Sequence, residues 1–191
     1  MCRKIPFIDQ LAKVDPSCVE KEYGFINDSA AAARFGVRFF EEFSYWAWRS
    51  CGIANVAMIL AAEGKFVETL YDLICETLLD CGYAFKNRRG GRDIGWKYSS
   101  LCDLLKRRGL STKIYRYLPL EEAAVMLDRQ CYVILSIKSA TGGHMLLAKS
   151  IVDGFIIYND PYVFAGKGGE DVRESLESFG TKFLERGIVV W

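Results

Sequence analysis

Residues 50–60 of the chain, Ser-Cys-Gly-Ile-Ala-Asn-Val-Ala-Met-Ile-Leu, decide the fold. Their pattern predicts a helix from Cys51 to Ala62, with Ser50 in the N-cap position. Apolar residues surround this helix on nearly all sides, and Asn55 is the main exception. A helix that is apolar all round is buried between other layers of a protein.

The Cys51 thiol lies in the first turn of this predicted helix. Unpaired N–H groups and the helix dipole favour negative charge there, so they stabilise a thiolate and can hold an oxyanion. A small cysteine that is simply buried in the core at a helix start would explain the same residue. A catalytic role for Cys51 therefore requires a second residue beside the thiol. His144 is the only histidine of the chain and opens a predicted strand after Gly142 and Gly143.

The length of a predicted hairpin loop determines whether a carboxylate, that of Asp160, lies on the same face of the sheet as His144. Residues 152–154, Val-Asp-Gly, separate two runs of β-forming residues and predict its turn. If only Asp153 and Gly154 form the loop, His144 and Asp160 lie on opposite faces of the sheet. If all three residues form it, Asp160 is the diagonal neighbour of His144, at about 7–8 Å between backbones. We predict the three-residue loop.

Asn159 is the alternative residue that could orient His144. It shares a face with the histidine only if the loop has two residues, and it then lies roughly 13 Å along the strand. Asp160 is therefore preferred. Pro161 is expected to end the strand pairing and to hold this carboxylate at the strand end, although an ordinary Asp-Pro turn explains the pair as well.

Helical patterns precede strand patterns along the chain, which predicts an α+β fold with a helical lobe packed against an antiparallel β lobe and the active site between them. The further predicted helices are 66–79, 99–108, 120–129 and 175–184, and the predicted strands are 112–118, 131–137, 144–151, 155–159 and 187–191.

Composition excludes several classes of function. The 191 residues have a net charge of +1, which gives no general reason to expect a nucleic acid or an anionic membrane as partner. The longest uncharged apolar stretch is about half of a bilayer span, and the N-terminus lacks a signal-peptide pattern. Seven cysteines, an odd number, indicate free thiols, and one histidine cannot complete the usual mixed zinc sites. We expect a cytoplasmic protein without metal, cofactor or membrane insertion.

Three segments in order resemble one known family. They are residues 50–60, Gly-Gly-His-Met-Leu-Leu-Ala at 142–148 and Tyr-Asn-Asp-Pro-Tyr at 158–162. Together they are similar to the bacteriocin-processing type of papain-like cysteine peptidase, the double-glycine leader peptidases, which include small stand-alone proteins. The resemblance covers residues 39–191 and implies a papain-like catalytic domain there. Residues 1–38 match nothing and are expected to form an irregular N-terminal segment.

The resemblance implies a Cys-His-Asp triad. Cys51 would attack a carbonyl, His144 would act as the base and Asp160 would orient the imidazole, so that a peptide or amide bond is cleaved through an acyl-enzyme. The same triad also suits an acyltransferase or cyclase that tailors peptides or natural products. A catalytically degenerate relative that only binds a peptide is the third alternative. Association with a transporter or a biosynthetic enzyme stays open.

One position departs from the family pattern. Relatives usually have a glutamine, the oxyanion donor, six residues before the cysteine, where this chain has Tyr45. The Tyr45 phenol can donate a hydrogen bond and could replace it, or the aromatic cluster here packs the cleft wall. The other candidates for the oxyanion site and the cleft are Trp46, Trp48 and Ser50.

Overall fold

The computed structural model of the chain describes residues 4–65, 69–85, 93–139 and 142–191. Helices and antiparallel strands form two lobes, which confirms the predicted α+β class. The helices are α1 (Ser29–Phe35), α2 (Phe40–Ala47), α3 (Cys51–Ala62), α4 (Leu70–Leu79), α5 (Tyr98–Arg107), α6 (Leu120–Asp128) and α7 (Leu176–Lys182). The strands are β1 (Tyr83–Ala84), β2 (Gly95–Trp96), β3 (Thr112–Tyr115), β4 (Tyr132–Ser139), β5 (Gly142–Val152), β6 (Phe155–Phe164), β7 (Lys167–Ser175) and β8 (Phe183–Val190).

Helix α3 is the centre of the fold, and it has the predicted bounds. Its residues from Gly52 to Leu60 are all buried, because α4, α5 and strand β5 pack around it. A helix without a polar face has no side that can be exposed to solvent at low cost, so the other elements must enclose it.

The large sheet has the strand order β3-β8-β4-β5-β6-β7, and each neighbouring pair is antiparallel. Both of its faces are covered. Ile134 and Leu147 belong to the same core cluster as α3, whereas Val133 and Leu146 belong to a second cluster with Phe179 of α7. This double coverage explains why the strand sequences are apolar with little alternation.

The N-terminal segment is part of the same hydrophobic core. Leu11, Ile26 and Phe35 are fully buried in the cluster that contains α3. The segment was expected to be irregular, but it includes helix α1, which Asp28 caps by accepting a hydrogen bond from the Ala31 N–H. Residues 4–38 therefore fold against the rest of the chain.

The β5–β6 turn differs from the prediction. Val152 pairs with Phe155, so Asp153 and Gly154 alone form the loop, and the predicted three-residue loop is wrong. Both loop residues have positive φ angles, 52° and 77°. These angles define a type I′ turn, for which Asp-Gly is a preferred sequence and whose twist matches that of a hairpin.

A β-bulge restores the register that the three-residue loop would have produced. The pairing shifts by one residue between Ala148 and Ser150, so Lys149 is the extra residue of strand β5. Beyond the bulge, Leu147 pairs with Asn159. Continued toward the strand end, this register makes Asp160 the diagonal neighbour of His144.

Strand β6 does not end at Pro161, which corrects the prediction made from this proline. It continues to Phe164, which pairs with Lys167 at the start of β7. The register is irregular between Asp160 and Phe164, and a residue that lacks an N–H is tolerated in such a place. Strand β7 was not predicted, because its glycine-rich start indicated only a loop.

Other predicted bounds differ by a few residues. Helix α4 begins at Leu70, where the Thr69 side chain caps it, and the first residues predicted for this helix, 66–68, lie outside the described residues. Among the described residues no helix has the length and apolar character of a membrane span. The described cysteines, which are 18, 51, 75, 81, 102 and 131, are not disulfide-bonded.

Gly166, in the β6–β7 turn, and Gly168, near the start of β7, give a matched test of how closely β7 packs against β6. Gly166 and Gly168 have similar φ angles of 78° and 70°, but a Cβ on Gly168 would lie 1.7 Å from the Tyr162 oxygen, whereas one on Gly166 meets nothing within 4 Å. We expect Gly166→Ala to cost about 1 kcal/mol through backbone strain, and Gly168→Ala to cost about 3 kcal/mol because the strands must also separate. Urea unfolding measures both, and equal losses would contradict the close approach.

Candidate active site

The Cys51 thiol is half-buried at the first turn of α3. Ser50 occupies the N-cap position, as predicted, but its side chain makes no capping hydrogen bond. Its hydroxyl instead donates to the carbonyl oxygens of Gln10 and Ala47, at 3.3 and 3.4 Å. The first N–H groups of the helix therefore have no side-chain cap, and they are available to a ligand of Cys51.

Asn55 connects this helix turn to the strand that carries the histidine. Its amide nitrogen donates to the Cys51 carbonyl and to the Met145 carbonyl, both at 2.9 Å. Asn55 is fully buried, so these bonds are not exchanged for bonds to water. The thiol and the residue after His144 are thereby held in a fixed relation.

The structure brings His144 and Asp160 into direct contact. The imidazole Nε2 lies 2.7 Å from the carboxylate Oδ1, and the two side chains are only 14% and 16% exposed. The same Oδ1 accepts a hydrogen bond from the Tyr162 N–H at 2.9 Å. Cys51 also acts on the imidazole, since its hydrogen bonding and charge are among the causes that raise the pKa of His144, and all three residues line one cleft.

Two opposing effects act on the ionisation of His144. Burial disfavours the charged ring and would lower its pKa. The hydrogen bonds to Asp160 and Cys51, together with the negative charges of these groups, outweigh burial and raise the pKa to about 10. At neutral pH the imidazole therefore keeps its proton, which is the form that pairs with a thiolate and can protonate a leaving amine.

Asn159, the alternative orienting residue, has other partners. Its side-chain oxygen accepts from the Asp171 N–H at 3.1 Å, and its amide nitrogen lies 3.6 Å from the Met58 sulfur of α3. The bulge at Lys149 explains this orientation, because it pairs Asn159 with Leu147, whose side chain faces α3.

Tyr45 and Trp46 lie beside the site. The Tyr45 hydroxyl donates to the Asp93 carboxylate at 2.9 Å, and the Arg49 side chain donates to the same oxygen. Trp46 is buried between Tyr45 and Trp96. These contacts tie both rings to the wall of the helical lobe.

Trp48 lines the cleft at the side of the N-terminal segment. Its indole nitrogen donates to the Gly24 carbonyl at 2.7 Å, and its ring contacts Tyr23 and Tyr162. Tyr162 in turn makes an edge contact with the His144 ring, at 6.3 Å between centroids. We call Tyr23, Trp48 and Tyr162 the aromatic end of the cleft.

Gln10 is a cleft residue that sequence reasoning missed. It lines the same cleft as Cys51, and its backbone N–H donates to the Pro161 carbonyl at 2.8 Å, directly after Asp160. Its side-chain nitrogen donates to the Ala47 carbonyl at 3.1 Å, which uses one of two N–H groups. A glutamine so far along the chain from the thiol gives no local signal, since only the fold brings the two together.

The cleft between the lobes has a volume of about 900 Å³. Cys51, His144 and Asp160 line it, together with the three residues of the aromatic end. Across the described part of the chain, no group of three His, Cys, Asp or Glu residues could hold a metal ion. The chemistry available at this place is that of a nucleophilic thiol with an acid–base partner.

Solved structures with a similar fold are peptidases. The peptidase domain of Streptococcus ComA, a bifunctional ABC transporter involved in quorum sensing, has a TM-score of 0.54 and 16% identity over 74% of this chain and 90% of that domain. A C39-like peptidase from Bacillus anthracis has a TM-score of 0.57 and 15% identity over 99% of this chain and 95% of that one. No family model and no curated protein matches the sequence.

These comparisons confirm the predicted likeness to bacteriocin-processing peptidases at the level of the fold. The alignment with the Bacillus protein also includes nearly all of this chain, so it extends over the N-terminal segment that carries Gln10. At identities this low, the comparisons show a similar backbone fold and nothing more.

The ionisation of His144 can be measured directly, because the chain has one histidine and its ring resonances need no assignment. We expect no titration of the ring by NMR between pH 6 and 8.5, and a midpoint near 10. Asp160→Asn should lower that midpoint, because it removes the charge but keeps the side-chain shape. The control Asp153→Asn, at the exposed hairpin tip, should leave it unchanged, and a wild-type midpoint near 6.5 would contradict the contact.

The same shift has a consequence for folding. The pKa in the folded chain lies above the value of about 6.5 for an unfolded one, so folding favours proton binding at His144. Its contribution to stability should be fully present below pH 6.5 and should be lost as the pH rises through about 10. Unfolding free energies of wild type and Asp160→Asn should therefore converge at high pH; a difference that is independent of pH would contradict this linkage.

Proposed function

We propose that the protein is a thiol-dependent hydrolase that cleaves a peptide or amide bond through an acyl-enzyme on Cys51. The observation that supports this most is the hydrogen-bonded pair of His144 and Asp160 in the same cleft as Cys51. A thiol, a histidine and a carboxylate in that order are the parts that nucleophilic acyl transfer needs.

The first half of the reaction forms the acyl-enzyme. The Cys51 thiolate, paired with the protonated His144, attacks the substrate carbonyl carbon to form a tetrahedral intermediate. When that intermediate collapses, the C–N bond breaks and His144 gives its proton to the departing amine. Asp160 keeps the imidazole oriented and stabilises its charged form.

Two donors are suited to the negative oxygen of the intermediate. One is the Cys51 N–H at the uncapped start of α3, and the other is the second N–H of the Gln10 amide. In this proposal Gln10 takes the role that the sequence suggested for Tyr45. Ser50 and Pro161 hold Gln10 in place, since both make hydrogen bonds with its backbone.

The second half of the reaction releases the acid. Water enters the place that the amine has left, His144 takes a proton from it, and the resulting hydroxide attacks the thioester carbonyl. Collapse of the second intermediate breaks the C–S bond and returns the thiolate. The fold supports a peptide as substrate, because the solved structures of similar fold are described as peptidases.

Selective labelling tests the nucleophile. Iodoacetamide followed by peptide mass spectrometry should modify Cys51 first among the seven thiols, and faster than Cys75 and Cys81, which are exposed and serve as internal references. His144→Ala should slow the labelling of Cys51 alone, because it removes the cationic partner of the thiolate. Indiscriminate labelling would contradict the proposal.

Turnover is tested with a peptide mixture in which new termini are detected by mass spectrometry. Wild type should generate them and should form a covalent acyl-enzyme that is seen on rapid acid quench. Cys51→Ala should generate none while its circular dichroism spectrum stays that of the folded wild type. Cleavage that persists in Cys51→Ala would overturn the proposed mechanism.

A pair of variants separates the two candidate oxyanion donors. Gln10→Ala should lower kcat by about 10²–10³, the usual cost of losing one such donor, without moving the His144 titration. Tyr45→Phe should change kcat by less than about threefold, because the lost hydroxyl bonds to Asp93. The opposite ranking of the two variants would assign the role to Tyr45.

A further inference from the structure

The charges that line the cleft are unbalanced, although the whole chain carries only +1. Its described lining includes three acidic residues, and each of them has a basic partner: Glu22 pairs with Lys167, Asp93 with Arg49 and Asp160 with His144. The basic residues of the lining, apart from His144, are Arg49, Lys97, Lys138, Lys167, Lys182 and Arg186.

Three of these basic side chains are exposed and have no carboxylate within 4 Å among the described residues. They are Lys97, Lys138 and Arg186, which we call the basic end of the cleft. Like charges grouped without counter-charges destabilise a folded chain. Their arrangement around one part of a cleft is instead suited to a negatively charged ligand.

The basic end lies in the same cleft as Cys51. The Arg186 guanidinium lies 5.9 Å from the centre of the Tyr98 ring, and the Tyr98 hydroxyl is hydrogen-bonded to Ser136 of β4. Burial raises the pKa of Tyr98, and the charges of both Cys51 and Arg186 also act on this phenol. Arg186, Tyr98 and Cys51 all line the same cleft.

The chemistry of the site assigns a direction to the substrate. His144 must reach the leaving amine to protonate it, and the ring in contact with His144 is Tyr162 of the aromatic end. The leaving group then lies toward the aromatic end. The acyl portion of the substrate, which stays on the thiol, extends toward Tyr98 and the basic end.

We propose that the acyl portion of the substrate is acidic: a peptide with an aspartate or glutamate shortly before the cleaved bond, bound by Arg186 with Lys138 and Lys97. This deepens the proposed function and rests on it. An arginine fork matches a carboxylate with two hydrogen bonds, and the two lysines add long-range attraction that speeds association.

The test uses peptidyl acyloxymethyl ketones, which alkylate the active-site thiol and need no known substrate. Two matched pairs carry glutamate or glutamine as the second or the third residue before the reactive group. The readout is the second-order rate of Cys51 modification by intact mass. The proteins are wild type, Arg186→Gln, Lys138→Gln and the control Arg129→Gln, whose arginine is equally exposed but lies at the end of α6, away from the cleft.

We expect wild type to react about tenfold faster with one glutamate probe than with its glutamine match at low salt, and to lose most of this preference at about 0.5 M salt. Arg186→Gln should lower the preference about fivefold and Lys138→Gln by less, while Arg129→Gln keeps it. Equal rates for glutamate and glutamine in both pairs, or a preference that survives in Arg186→Gln, would overturn the proposal.

Iodoacetamide separates this failure from failure of the proposed function. The reagent is small and neutral, so it reports the reactivity of Cys51 without the basic end. If Cys51 still reacts selectively with it while the glutamate preference is absent, the acidic-substrate proposal falls and the thiol hydrolase stands. If the selective reaction itself is absent, the proposed function falls with it.

Discussion

The geometry of the candidate active site depends on a single buried amide. Asn55 is the polar residue of an otherwise apolar helix, and its amide donates to the carbonyl oxygens of Cys51 and of Met145, the residue after His144. Its own side-chain oxygen is buried without a partner among the described residues, which costs about 1–3 kcal/mol. An apolar residue would avoid that cost, so the position is best explained by the connection between the two lobes that the amide makes.

The candidate site also depends on the contacts that place Asp160 against His144. Asp160 reaches the imidazole because strand β5 contains a bulge at Lys149, and several contacts hold that irregular region in place. The Lys149 side chain forms an ion pair with Asp171 of β7, and the Asp171 backbone donates to Asn159. Gly168 allows β7 to approach Tyr162 closely. The contact between histidine and aspartate is thus produced by the irregularities of the sheet.

A feature could be predicted from the sequence when the residues that determine it are neighbours in the chain. Helix α3 was predicted to the residue, because its apolar composition and its bounds are encoded within the helix itself. The meeting of His144 with Asp160 was predicted for the wrong reason, since the Asp-Gly pair determines a two-residue turn and the compensating bulge depends on contacts with β7. Gln10 could not be found, because the fold alone brings the N-terminal segment to the cleft.

The electrostatics of the cleft follow from distance and exposure. Exposed cations near a histidine oppose its protonation, and the basic end lies in the same cleft as His144. Even so the pKa of His144 is raised, because the buried ring is hydrogen-bonded to Asp160 and is also acted on by Cys51, whereas the charges of Lys97 and Lys138 are exposed and screened by solvent. Direct contact therefore decides the protonation of His144, and the screened charges act on molecules that enter the cleft from solvent. A protonated histidine and the cations of the basic end can coexist in one cleft only because the imidazole is buried and the basic end is exposed to solvent.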